Sequence, residues 1–113
     1  MIISHKHKFI FIKTEKTAGT SIEIALSEIC GPEDIITAIS PEDEKYRKEL
    51  GFRTKQNYLI PFSKYSKRDF FDFISSRKRL KFFNHIGAAE IKRLISKEQW
   101  NEYFKFTFER NPF

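Results

Sequence analysis

Four consecutive apolar positions, residues 9–12, open the pattern of this chain. So short and uniform a run predicts a strand covered on both faces, as in a parallel sheet flanked by helices. Ile22, Ala25, Leu26 and Ile29 then recur at i, i+3, i+4 and i+7. That is one stripe of a helix over about residues 20–30, which Gly31-Pro32 stops. A second short strand is expected at residues 35–39, broken by Ser40-Pro41, with a surface helix in the acidic stretch behind it. Residues 51–66 mix Gly, Pro, Asn and Ser without a period and predict a long loop.

Helical spacing returns at Phe70, Phe73 and Ile74, with Arg77 and Lys81 on the outer side. A helix over residues 88–95 presents Ile91, Leu94 and Ile95, and Ser96 with Gln99 has the spacing of a capping box that opens another turn through Trp100. Phe104, Phe106 and Phe108 alternate with Lys105, Thr107 and Glu109, which predicts a strand with one apolar face. Asn111 and Pro112 suit an N-cap and a first helical position, so a helix is expected to begin where the chain stops. The chain therefore reads as the N-terminal part of a longer fold.

Strand, helix and strand in this order predict an α/β domain, and 113 residues at 40% hydrophobic fit a single one, residues 1–113. Cys30 is the one cysteine, which excludes an internal disulfide and points to a reducing compartment. No apolar stretch approaches the ~20 residues of a membrane span, and the N-terminus lacks the apolar core of a secretion signal. A cytoplasmic protein is expected. The net charge of +6 is uneven, since residues 53–81 hold nine Lys and Arg against Asp69 and Asp72. Such a stretch either prefers anions or forms a solvated basic face.

The turn over residues 13–21, KTEKTAGTS, lies between the first strand and the first helix. Its chemistry suits a phosphate. N–H groups of a first helical turn are unpaired, Gly19 permits close approach, Thr17, Thr20 and Ser21 carry hydroxyls, and Lys16 adds a full charge. The plainer reading is a helix cap with solvated lysines; the spacing is not that of the Walker loop. Arg110 ends the last strand just before the expected helix start, so it either grips a second phosphate beyond the strand ends or pairs with Glu109. His85 precedes a helix, where it either caps and packs or accepts a proton near neutral pH. His5 and His7 flank Lys6 without a third ligand, and no metal is expected.

Three stretches, FIFIKTEKTAGTSIEIAL, NHIGAAEIKRLI and YFKFTFERNPF, in this order resemble the carbohydrate-type sulfotransferases that use 3′-phosphoadenosine 5′-phosphosulfate, PAPS. The K-T-A-G-T-S loop of that family is matched from Lys16 to Ser21. The resemblance implies a P-loop NTPase-like three-layer α/β fold with a central parallel sheet, incomplete at the C-terminus. It implies PAPS as sulfuryl donor without a metal, and a hydroxyl-bearing acceptor, a glycan rather than a nucleic acid. It implies that Lys16, Thr17, Ala18, Gly19, Thr20 and Ser21 hold the 5′-phosphosulfate end, with Lys16 at the leaving oxygen. Arg110 takes the 3′-phosphate, and His85 the acceptor proton, with Glu90 as the other base candidate. The absence of an anchor resembles soluble bacterial relatives. A second class of function, read from the residues alone, is a basic nucleic-acid-binding module using the aromatic and basic residues of stretch 64–83 without catalysis.

Overall fold

A strand that is apolar at every position has to be covered on both sides, and Phe9–Phe11 (β2) is buried throughout. The computed structural model describes residues 1–13 and 19–107. In chain order the elements are β1 (Ile2–Ser4), β2, α1 (Gly19–Ser27), β3 (Ile35–Ile36), α2 (Pro41–Glu49), α3 (Lys67–Ser76), α4 (Ala88–Leu94), α5 (Lys97–Glu102) and β4 (Phe104–Phe106). The strands form one sheet in the order β3-β1-β2-β4.

Register divides the side chains between the two faces. Ile3 opposes Ile10 and Ile35, while Ile2 opposes Phe11 and Ile36. Phe9 and Phe11 stand beside Phe104 and Phe106. One face therefore carries Ile3 and Ile10, packed with Ile60, Phe82, Ile91 and Leu94 from α4 and the segments before it. The other carries Ile2, Phe9, Phe11 and Ile36, covered by Ile22 and Leu26 of α1 together with Cys30. The result is a mixed sheet between two covering layers.

A central parallel sheet was expected, and the sheet is mixed. Only β2 and β4 run parallel; β1 is antiparallel to both of its neighbours. The difference comes from β1, three residues too short to show a period, which turns back into β2 through Lys8 at a positive φ of 55°. The expected strand over residues 35–39 shortens to two residues, and α1 ends at Ser27, where Glu28 and Ile29 close tighter i→i−3 bonds. Capping boxes start α3 at Ser66 and α5 at Ser96, the latter as its spacing predicts. The inward stripe expected on α3 is not buried: no residue of α3 is, and Ile74 is 73% exposed.

The loops on the β3 side are held by one carboxylate. Asp34 is fully buried and accepts hydrogen bonds from Ser4 Oγ (2.7 Å), the N–H groups of His5 (2.8 Å) and Lys6 (3.1 Å), and the Gly31 N–H (2.9 Å). Desolvation works against its charge, yet the four donors outweigh it and hold the carboxyl below the usual Asp range. Asp34 thus fastens the β1–β2 turn to the loop that follows α1.

Two predictions follow from this side of the molecule. Asp34→Ala strands buried donors and is expected to cost about 3 kcal/mol in urea denaturation at neutral pH. Because the folded pKa lies below the unfolded one, that contribution is complete above the ordinary value of 3.8 and is lost as pH falls through the lower folded value. Equal stability of variant and wild type at neutral pH refutes the clamp. Cys30 lies in the core, where burial, aided by the charge of Asp34, pushes its thiol up to about 12 against the opposing pull of Arg53. Its reaction with a disulfide reagent in mildly alkaline buffer is expected to be at least ~100-fold slower in the folded than in the denatured chain. Comparable rates contradict this.

Candidate functional site

Parallel strands end on the same side of a sheet. The Ile12 N–H donates to the Phe106 carbonyl at 2.9 Å, so the chain leaves β2 at Lys13 and β4 at Thr107 from adjacent points. α1 opens at Gly19 a few residues beyond β2, giving a strand–turn–helix unit whose neighbouring strand ends beside it. Lys16, Thr17, Ala18 and Arg110 lie outside the described residues. Thr20 is half-buried and Ser21 exposed, both in the first turn of α1.

Beneath this turn lies a buried charge cluster centred on Glu23, which is fully buried. Its Oε1 meets the Met1 amine at 3.0 Å and accepts from Thr37 Oγ1 at 3.4 Å. Its Oε2 faces Lys13 Nζ at 3.4 Å. Hydrogen bonding assigns the Asn84 amide between the two, donating to Glu23 Oε2 and accepting from Lys13 Nζ at 3.0 Å each. Lys13, itself 6% exposed, also donates to Thr20 Oγ1 at 2.7 Å. Burial lowers the Met1 amine to about 6, more than Glu23 raises it.

The cluster extends along α1. Ser27 Oγ donates to the Glu23 carbonyl at 2.8 Å and accepts from Arg47 Nη1 at 3.2 Å. Arg47 of α2 is fully buried and pairs with Glu44, and its Nε lacks a partner among the described residues. The helical stripe read from sequence is thereby rotated. Ile22 and Leu26 pack against the sheet, but Ile29 is 43% exposed, and the buried row is Glu23, Ile24 and Ser27. Glu23 and Ser27 stand four residues apart, a polar row that an apolar count discards.

Asn84 also brings its neighbour His85 to the β2 end of the sheet. His85 is exposed, in the turn before α4. Glu90, the other base candidate, is engaged on the surface: it pairs with Arg93 at 2.6 Å, and Arg93 reaches Asp69 at 3.0 Å, tying α4 to α3. His5 Nδ1 bonds Tyr103 Oη at 2.7 Å and His7 Nε2 bonds the Ile29 carbonyl at 3.0 Å. The structure therefore gathers Thr20, Ser21 and the His85 turn around one sheet end, and adds Lys13, Glu23, Thr37 and Asn84, which the sequence reading did not single out. Compared with known proteins, the chain matches no family model, no curated protein and no solved structure.

Removing one partner of a buried charge cluster leaves the rest uncompensated. Glu23→Ala is expected to cost about 3–5 kcal/mol, and adding Lys13→Met to recover at least about 1 kcal/mol of it. Urea denaturation followed by circular dichroism measures both. If Glu23→Ala alone fails to fold, recovery of a folded spectrum in the double variant carries the same answer; a double variant no better than the single one refutes the coupling.

Proposed function

We propose that this chain is the nucleotide-holding part of a P-loop-like, PAPS-dependent sulfotransferase that moves a sulfuryl group onto an acceptor hydroxyl, one borne by a sugar. The observation that carries this reading is the parallel pairing of β2 with β4. It puts Lys13 and Thr107 at neighbouring strand ends, the points from which the lysine-and-hydroxyl segment and the segment with Arg110 depart in sequence.

The residues present suit a bound phosphate. As at any helix start, the N–H groups of the first turn of α1 have no partner within the helix and carry a partial positive charge. The Thr20 oxygen accepts from Lys13, and a bond from a full charge strengthens its own O–H as a donor. Lys13 is matched by Glu23, which leaves Lys16 as the turn's other cation, next to Glu15 in the chain.

When bound, PAPS supplies the sulfuryl group and a bisphosphate leaving group. Lys16 neutralises charge at the leaving oxygen, and the start of α1 with Thr17, Thr20 and Ser21 fixes the phosphate. Arg110 would hold the second phosphate, an anion that a guanidinium suits. His85, exposed and held near the sheet end through Asn84, takes the proton of the acceptor hydroxyl. Glu90 is the weaker base, since its carboxylate is already paired with Arg93.

Calorimetric titration with adenosine 3′,5′-bisphosphate tests the reading. Binding is expected in wild type, about 10-fold or more weaker in Arg110→Ala. Lys16→Ala is expected to lower turnover of PAPS with glycan acceptors by ~100-fold while sparing bisphosphate affinity. A wild type that ignores the bisphosphate sinks the proposal. The nucleic-acid reading is favoured by one observation: α3 leaves Phe71 and Ile74 each 73% exposed beside Lys67 and Arg68. Salt-sensitive binding of a single-stranded oligonucleotide by a chain indifferent to the bisphosphate supports it instead.

A further inference from the structure

The structure divides the basic stretch over residues 53–81 into anchors and free cations. Arg53 donates to the Cys30 carbonyl at 2.9 Å, and Arg79 donates to the Ile60 carbonyl at 2.8 Å with its guanidinium 4.2 Å over the Phe62 ring. These two hold loops. Lys55 and Lys81 are exposed and, among the described residues, meet no carboxylate within ion-pair distance. Both line one cleft of about 120 Å³, together with Tyr58, Phe83 and Asn84.

The cleft is built on paired backbone rather than on a loose loop. Gln56 exchanges both backbone hydrogen bonds with Ile36 (3.0 and 2.9 Å), and its side chain donates to the Gly31 and Asp34 carbonyls at 2.8 Å each. The backbone carrying Lys55 is thus fixed at the β3 edge. Lys81 opposes Leu59 across a bridge flanked by Phe82 N–H to Tyr58 carbonyl (2.8 Å) and Ile60 N–H to Leu80 carbonyl (3.0 Å). Two exposed lysines on pinned segments therefore line one concavity whose lining includes no acidic side chain. Such an arrangement selects anions.

Its position gives the anion a context. Asn84 lines the cleft and also bonds Lys13 and Glu23, and His85 follows it in the chain. A cleft of about 120 Å³ that is open to solvent has room for one carboxylate or sulfate, with the rest of a saccharide lying outside it. Tyr58 and Phe83 add aromatic surface for the apolar side of a sugar. We propose that this cleft is an acceptor subsite that takes an acidic group on a sugar next to the one whose hydroxyl faces His85. The inference rests on the sulfotransferase reading above, which it narrows to acidic glycans.

Backbone amide NMR of the 113-residue chain, with the bisphosphate titrated in parallel, tests it. A hyaluronan tetrasaccharide supplies carboxylates, a chondroitin sulfate tetrasaccharide supplies both acids, and the methyl ester of the former is neutral. Binding of either acid is expected to shift Lys55, Tyr58, Lys81 and Phe83, the stronger of the two naming the preferred group. The Lys55→Ala/Lys81→Ala variant is expected to lose ~10-fold in affinity and much of the salt dependence, with bisphosphate binding unchanged. Both lysines are exposed, so this variant keeps its fold.

Equal binding of the neutral ester, an unaltered affinity in the double variant, or tighter binding of a single-stranded oligonucleotide at the same residues overturns the subsite. A chain that binds bisphosphate but neither acidic saccharide also overturns it and leaves the nucleotide reading standing. Acidic saccharide bound in the cleft without any bisphosphate binding upholds a saccharide site and removes the sulfotransferase.

Discussion

A carboxylate withdrawn from water must be neutralised where it stands, and much of this molecule is arranged around that requirement at Glu23. Its partners come from four places: Lys13 after β2, Thr37 after β3, the amine of Met1 before β1, and Asn84 in the turn before α4. Each lies at the end of an element, so satisfying one side chain aligns the sheet with α1 and with the layer over its other face. The apolar contacts supply attraction without direction; the polar cluster supplies the angle at which α1 sits.

That angle also fixes the surroundings of Lys13 and of the first turn of α1. Lys13 is spent on Glu23, Thr20 and Asn84, a supporting role inside the turn. Thr20 is half-buried against Lys13, Ser21 is exposed, and the helix start carries no carboxylate in its first turn. A lysine already compensated by Glu23, below a helix start with no carboxylate in its first turn, supports the anion site proposed above.

Where every residue of an element obeys one period, the chain declared the element: β2 by its apolar run, α5 by Ser96 and Gln99, α4 by Ile91 and Leu94. β1 escaped because three residues show no period, and it changes the sheet from parallel to mixed. The rotation of α1 escaped for a different reason. Glu23 and Ser27 are buried only because Lys13, Asn84 and Arg47 arrive from distant parts of the chain, and no local pattern encodes partners. Of the candidate site, the turn residues and His85 were legible as residue types in suggestive places. The cleft of Lys55 and Lys81 was not, because Lys55 sits in what reads as featureless loop, and Lys81, read on the outer side of a helix, lies beyond the end of α3 and pairs with Leu59. The comparisons with known proteins add no family to this picture.

The mixed sheet has a consequence for the order of assembly. β1 and β2 meet across a short turn, and β3 joins them after one helix, so this antiparallel half is made of near neighbours in sequence. The pairing of β2 with β4 instead closes a loop containing most of the chain, and such distant contacts carry the largest entropic barrier to formation. The strand end that leads toward Arg110 is therefore added late, onto a partner already in place. On this view the paired ends of β2 and β4 are the last part of the molecule to mature, and their completion keeps time with the slowest step of folding.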